Sequence, residues 1–376
     1  MLRLVLRQLA LDRTKTALTC VAIGGVVALL LLLEGFEQGL YEQLRRTVLD
    51  RGGSLIVTQA GVSNMTAARS VLPQLAREEV ESVDGVRTAH PLTGLPVIYP
   101  GKGRKTPIFL VVYDTAGAPS RIVSGRAIRG EREIIIDRSL AQRYDLYPGD
   151  PLVVSDFRFE IVGVSEGTAA LFTPFAFINY DSLIDFYLEA DLARDISAFP
   201  LLSFLVVELS PGADRAAVLE AIEDSVPSVD VFEPSVLANN DVKVGAALFG
   251  PTLWLLKGIG SVIGILVVGM LMFASVGGRL RELGVLKAIG FGNRRLFVLV
   301  AMEAVIVTVL SVPIGIGLAR AVATLIGRVD PLYLILPLEP APMLRTLLAC
   351  LGFAVFGALA PARTMSRVDP ALVFHS

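Results

Sequence analysis

Two cysteines, two histidines and one tryptophan among 376 residues leave little for redox, metal or acid–base chemistry. Cys20 and Cys350 both fall inside apolar runs, which excludes an extracytoplasmic disulfide framework and reads as inert helix-packing thiols. So few sulfur and imidazole ligands also exclude a structural zinc motif. A general base is equally scarce. GVSEG at 163–167 matches a nucleophile elbow, yet His90 precedes the serine and the topology below puts His375 across the membrane. A strand-ending turn is the better reading. GKGRKT at 101–106 lacks the phosphate-loop spacing and reads as an exposed basic hairpin loop. NMT at 64–66 is a formal glycosylation sequon, a pattern common by chance. Charge is the other scarcity: 19% charged against 53% hydrophobic residues, with a mean hydropathy of +0.63, excludes an ordinary soluble enzyme of this size.

What is abundant is long apolar sequence. Four windows reach, or nearly reach, the roughly 20 residues a spanning helix needs: 16–33, 258–278, 296–319 and 346–362. The first is too long for a signal-peptide core and leads into LEGFEQGLYEQL without a small-residue cleavage pattern, so it reads as an uncleaved anchor. Arg3, Arg7, Arg13 and Lys15 precede it; Arg279, Arg281, Lys287, Arg294 and Arg295 separate the second and third windows; Arg363 and Arg367 follow the fourth. Because basic residues collect on the cytoplasmic side, these flanks place both termini inside a plasma (inner) membrane and residues 37–250 outside.

The expected organisation is therefore an integral membrane α-helical protein with four transmembrane helices and a large extracytoplasmic α/β domain inserted between the first and second. Its expected segments are 1–36 for the N-terminus and first span, and 37–250 for stalk and domain. Then follow 251–278, a cytoplasmic helix at 279–295, 296–320, an outer loop at 321–344, 345–362, and a cytoplasmic tail at 363–376. In the insertion, SLIVTQ, LPVIYP, PIFLVVYD, EIIID, PLVVS, FEIVGVS, FAFINY and FLVVELS read as strands between Gly, Pro and Asp turns. A β-rich lobe is expected at about 120–166, with Pro148-Gly149 at the centre of a type II turn. A β-α-β lobe is expected at about 203–233, around ADRAAVLEAIEDS. Phe36, Leu40, Leu44 and Val48 continue the first helix as a stalk ended by Gly52-Gly53. NNDVKVGAALFGPTLWLLKG suits a second stalk that Pro251 kinks or starts.

Residues 279–296, RLRELGVLKAIGFGNRRL, pack charge between two apolar spans. As a helix they place Leu280, Leu283, Leu286 and Ile289 on one stripe, with Gly290 as C-terminal cap and Asn293 capping the next helix. A lipid-facing linker and a helix fitting a groove on a cytoplasmic partner both suit this pattern. Glu303, inside the third span, suits either a proton or substrate pathway or a structural contact with Arg279, Arg281 or Arg295. The glycines at 258, 260, 264, 269, 277 and 278 permit close helix packing, within one subunit or between two.

The run from Arg279 to Ala319 resembles the signature of FtsX/MacB-type (type VII, mechanotransmission) ABC transporter permeases, in which R-x-R-E-[IL]-G-[VL]-[LM]-[KR]-A-[ILM]-G leads into a helix bearing a Glu near its start. The closing ALAPARTMSRVDPALVF resembles their C-terminal ending, and EREIIID and LAQRYDLYPGDPLVV resemble their outer domain. Without a fused ATPase, the chain looks most like the DevC-type half-size permeases. The resemblance implies that Arg279, Arg281, Glu282, Gly284, Lys287, Ala288 and Gly290 form a coupling helix on a separate cytoplasmic ABC ATPase. It also implies a second permease copy and a periplasmic adaptor as partners. An ABC exporter subunit is expected, with an FtsX-like signalling protein that activates a cell-wall hydrolase as the alternative. No cofactor, catalytic residue, metal site or nucleic-acid partner is expected; the surrounding partner is membrane lipid.

Overall fold

The computed structural model describes residues 12–66, 68–189 and 202–358. Arg3, Arg7, Arg363, Arg367, His375 and most of the C-terminal ending, from 359 on, lie outside the described residues. The chain divides into two compact units: one comprises Met1–Gly39, Gly250–Ile326 and Ile335–Ser376, the other Leu40–Phe249 and Gly327–Leu334.

Among the described residues, four helices are long and apolar enough to cross a membrane: α1 (Arg13–Leu49), α6 (Pro234–Gly277), α8 (Asn293–Val329) and α9 (Pro340–Gly357). At 1.5 Å per residue α1 is about 55 Å long. Helix α6 starts at Pro234, where a proline's missing N–H costs nothing, and carries Pro251 in its interior. Helix α8 runs nine residues beyond the expected end at 320, and Gly292 rather than Asn293 accepts its first-turn bond, from the Leu296 N–H at 3.2 Å.

The core of the helical unit joins Ile23, Val27 and Leu31 of α1, Val268 and Met272 of α6, Leu299, Ala304 and Val307 of α8, and Cys350 and Ala354 of α9. Glycines set the spacing. A Cβ on Gly315 would lie 2.6 Å from Val27 Cγ1 and 3.0 Å from the Gly24 carbonyl oxygen, so α1 and α8 cross backbone to backbone. Gly357 and Gly269 do the same for α9 and α6, at 3.0 Å. This divides the glycines of α6: Gly260, Gly264 and Gly269 face helices of their own subunit, whereas Gly258 and Gly277 face nothing within 4 Å.

In the inserted unit, β1 (Leu55–Gln59), β2 (Val86–Gly101), β3 (Arg104–Tyr113), β4 (Ile122–Gly125), β5 (Glu133–Asp137), β6 (Pro151–Val154), β7 (Phe157–Ser165), β8 (Ala169–Ala170), β9 (Thr173–Asn179), β10 (Phe204–Leu209) and β11 (Val229–Phe232) build one sheet. Its order is β11-β1-β10-β2-β3-β9-β5-β7-β4, with β6 on β7 and β8 on β9. The β-rich stretch and the β-α-β unit, read from the sequence as separate lobes, share this sheet. The parallel pairing of β3 with β9 and the antiparallel pairing of β9 with β5 join them. The β-α-β unit is itself split, because β1 lies antiparallel between β10 and β11.

Strand alternation sends residues to two faces. Ile108, Leu110 and Val112 of β3 and Ala176 and Ile178 of β9 join Leu140, Tyr144 and Phe186 of α3 (Arg138–Tyr144) and α4 (Tyr180–Glu189). On the same face, Leu55, Leu205 and Val207 meet Val80, Val218 and Ile222 of α2 (Ala76–Glu81) and α5 (Arg215–Ser225). The opposite face, with Val111, Phe175, Phe177 and Val206, receives Val48 of α1 and Leu237 and Ala238 of α6. Local turns match their residues. Asp150 N–H donates to the Tyr147 carbonyl at 3.0 Å across Pro148-Gly149, with Gly149 at φ +99°. Ser165 of GVSEG is fully buried and hydrogen-bonded to Thr168 Oγ1 at 2.7 Å, a strand end and not an exposed nucleophile.

Arg51 fastens the end of α1 to the sheet. Its Nε donates to the Thr47 carbonyl at 3.1 Å, its Nη1 to the Gly117 carbonyl at 2.7 Å, and its guanidinium lies 5.1 Å from the Phe177 ring centroid. Burial lowers its pKa to about 10, against the opposing pull of Asp50, so it remains cationic at neutral pH.

Glu133, at the start of β5, is one acid-sensitive group of the domain. Arg126 donates to it through two nitrogens at 2.9 and 2.6 Å, and burial opposes this. The N–H groups of Arg129 and Gly130 add to it, holding the carboxyl at about 2 instead of the usual 4.5. A depressed folded pKa gives stability that is complete above about 4.5 and is lost as pH falls through 2. Glu133→Gln is expected to remove about 1–2 kcal/mol at pH 7 and nothing near pH 2, a narrowing gap that thermal melts of both proteins across this range will measure.

Candidate coupling site

Helix α7 (Leu280–Ala288) connects α6 to α8. Gly290, at φ +99°, closes it: the Gly290 N–H donates to the Lys287 carbonyl at 3.1 Å and the Phe291 N–H to the Leu286 carbonyl at 3.0 Å, the paired bonds of a Schellman motif. Only a residue at ease with positive φ fits there, which accounts for the glycine.

The apolar stripe is divided. Leu286 and Phe291 pack against the helical core. Val285 and Ile289, one turn apart, are 44% and 69% exposed, and Glu282 is exposed beside them. Of the stripe that the spacing predicts, Leu286 therefore meets the core and Ile289 stays exposed. Gly284 is buried and Lys287 half-buried; of Arg281 and Ala288 the described structure covers the backbone alone.

Arg279 anchors this helix to α8. Its Nη2 lies 2.5 Å from Glu303 Oε1 and also bonds Ser275 Oγ, which donates to the same Glu303 oxygen at 2.9 Å. Glu303 is 6% exposed. A carboxylate at this depth is stable only when paired and hydrogen-bonded, and both conditions are met. Among the described side chains within sequence reach, Arg279 pairs with Glu303 and the exposed Arg295 does not.

A second ionic cluster has no sequence signal. Lys257 Nζ of α6 lies 2.5 Å from Glu37 and 3.3 Å from Glu34 of α1, and Arg345 of α9 is 3.2 Å from Glu34. Partners 220 residues apart in sequence share no local spacing. Beside it, the Leu336 N–H donates to the Gly35 carbonyl at 2.9 Å.

The inserted unit also holds a feature that sequence reading missed. Leu171 and Phe172, at the β8–β9 hairpin tip, adopt φ of 49° and 61°. Such tips usually carry Asn-Gly, since bulky residues pay about 1–2 kcal/mol each for this conformation. The Phe172 ring rests on Phe249 and Tyr333, with centroids 6.1 and 5.9 Å away. Among the described residues, no three His, Cys, Asp or Glu side chains converge as a metal site.

Comparison with known proteins places this geometry. A family model for the MacB-like periplasmic core domain matches residues 16–225, and one for the FtsX-like permease C-terminal matches 254–370. An uncharacterised ABC transporter permease of Mycobacterium bovis is 26% identical over 377 residues, covering 100% of this chain and 99% of that protein. Another, from Mycobacterium tuberculosis, is 24% identical over 381 residues with the same coverage. The macrolide export ATP-binding/permease protein MacB of Psychrobacter cryohalolentis is 26% identical over 65% of this chain and 37% of its own length. The periplasmic region of MacB from Actinobacillus actinomycetemcomitans covers 50% of this chain and 92% of its own, with 10% identity and a TM-score of 0.37. Both halves of the chain thus match, the inserted α/β domain and the helices that follow it, and the chain belongs to the FtsX/MacB-type ABC transporter permeases, multi-pass membrane proteins with an extracytoplasmic domain between the first two spans.

Proposed function

We propose that this permease is the membrane subunit of an exporter that works with a separate cytoplasmic ATPase, in the manner of the DevC-type half-size permeases. Helix α7 is the coupling helix. The observation that carries this reading is its division into an inward anchor, Arg279 on Glu303, and an outward surface of Val285, Ile289 and Glu282. Solvent-exposed apolar side chains one turn apart next to a carboxylate suit a groove on a protein partner. In this reading the termini and α7 are cytoplasmic, the membrane is the inner membrane, two permease copies assemble with two ATPase subunits, and a periplasmic adaptor meets the inserted domain. ATP-driven closure moves α7, the Arg279–Glu303 pair passes the displacement to α8, and α1 and α6 are the elements through which it reaches the inserted domain.

Co-expression with each candidate ATPase of the same genome tests this. Wild type is expected to copurify with one ATPase and to stimulate or restrain its turnover, while Glu282→Ala/Gly284→Trp loses both. Equal association by both proteins, or none by either, would remove the coupling assignment.

A further inference from the structure

The inserted unit contains a polar cleft of about 420 Å³ that the coupling mechanism does not use. It lies between the outer part of α1, the start of α3, the β7–β8 turn and the segment 327–334. Its walls carry three arginines, Arg46, Arg121 and Arg138, and three carboxylates, Asp50, Asp137 and Glu166, with Tyr333 at the side. The volume suits a small polar molecule and is far larger than a bare ion needs.

Donors and acceptors are distributed unevenly. Asp137 is saturated: one oxygen takes the Ser139 N–H at 2.8 Å and its Oγ at 2.6 Å, the other the Thr168 N–H at 3.2 Å and its Oγ1 at 2.8 Å. Glu166 gives one oxygen to Arg138 at 2.6 Å and the other to Arg121 at 3.1 Å. Each of those guanidiniums has five N–H groups and commits few of them, so one side of the cleft is rich in unused cationic donors. Asp50 is the reverse case. Its side chain accepts from Ser120 Oγ at 3.1 Å and keeps acceptor capacity facing the cleft.

Arg46 is held by Glu42 at 2.8 Å, which leaves Arg121 and Arg138 on one side of the cleft and Asp50 on another, so a ligand of one sign meets repulsion from one of the two. A molecule with an anion at one end and an ammonium at the other matches both sides at once. We propose that this cleft binds a zwitterion, its acidic group on Arg121 and Arg138 and its ammonium on Asp50. Free phosphoethanolamine-type solutes and the headgroup of phosphatidylethanolamine share this chemistry.

The test is calorimetric titration of the full-length permease in nonionic detergent with glycerophosphoethanolamine. Saturable binding is expected, weakened at least tenfold by Arg138→Gln. Arg121→Gln, a 71% exposed side chain whose loss leaves Arg138 on Glu166, is expected to weaken it severalfold without changing the melting temperature. Asp50→Asn is expected to abolish the preference for glycerophosphoethanolamine over glycerol phosphate. Competition by phosphatidylethanolamine nanodiscs, absent with phosphatidylcholine, would assign the lipid headgroup; lack of competition would assign the free solute. No saturable binding, or equal binding by all variants, would overturn the proposal. The measurement needs no ATPase, so it stands apart from the coupling test.

Discussion

Arg279→Met is expected to destabilise the helical unit by about 3 kcal/mol, the cost of leaving a buried carboxylate without its cation. Glu303 is 6% exposed, and among the described residues its other partner, Ser275, supplies a hydroxyl and no charge. The change also releases the start of α7, so ATPase stimulation in the assembled transporter should fall with stability. Arg279→Met/Glu303→Leu removes both charges and is expected to recover most of the stability but not the coupling. Arg295→Met, which alters an exposed arginine at the other end of the same stretch, should change neither. Unfolding is readable through the two cysteines, which are 7% and 3% exposed within this unit, as the temperature at which a thiol-reactive dye gains access. Equal melting of wild type and Arg279→Met would show that Glu303 has another source of stabilisation.

Gly35→Ala should be at least as severe. A Cβ there would sit 2.6 to 2.8 Å from backbone atoms of Leu336 and Pro337, and backbone cannot rotate away as a side-chain tip can. The methyl also pushes apart the Leu336 N–H and Gly35 carbonyl. A loss of about 3 kcal/mol or more is expected, as for overpacking compounded by a broken hydrogen bond. Gly25→Ala is the matched control, because its Cβ meets nothing within 4 Å. There the gain in helix propensity, about 1 kcal/mol, should appear undiminished. The opposite signs of two Gly→Ala changes ten residues apart on one helix are the measurement; a Gly35→Ala protein that melts like wild type would contradict the close approach.

Much of this architecture was legible in the residues because two signals dominate. Apolar length gave the four spans, and short apolar runs between turn residues, such as EIIID, FEIVGVS and FLVVELS, gave strands that the sheet contains. What was missed follows from the limits of local pattern. The first half of β2, VRTAHPLTG, is broken by His90, Pro91 and Gly94 and alternates poorly. AREEVE and YDSLIDFYLE are helices too short for periodicity to stand out. That the two expected lobes share a sheet depends on pairing between strands more than sixty residues apart, such as Phe109 with Phe175, which no window contains. At the candidate site, sequence offered three arginines to Glu303 by helical reach, and among the described side chains Arg279 pairs with it. Ile289, part of the apolar stripe read from the spacing, stands exposed next to the Gly290 cap, while Leu286 of the same stripe meets the core.

The placement of β1 has an evolutionary consequence. Ile56 pairs with Phe232, so the strand that opens the insertion and the strand that closes it are hydrogen-bonded neighbours. The domain is a cassette whose entry and exit points lie one strand apart. A remodelled segment between residues 60 and 228 keeps its place if β1 and β11 keep their pairing and the sheet face keeps its contacts with Val48, Arg51 and Leu237.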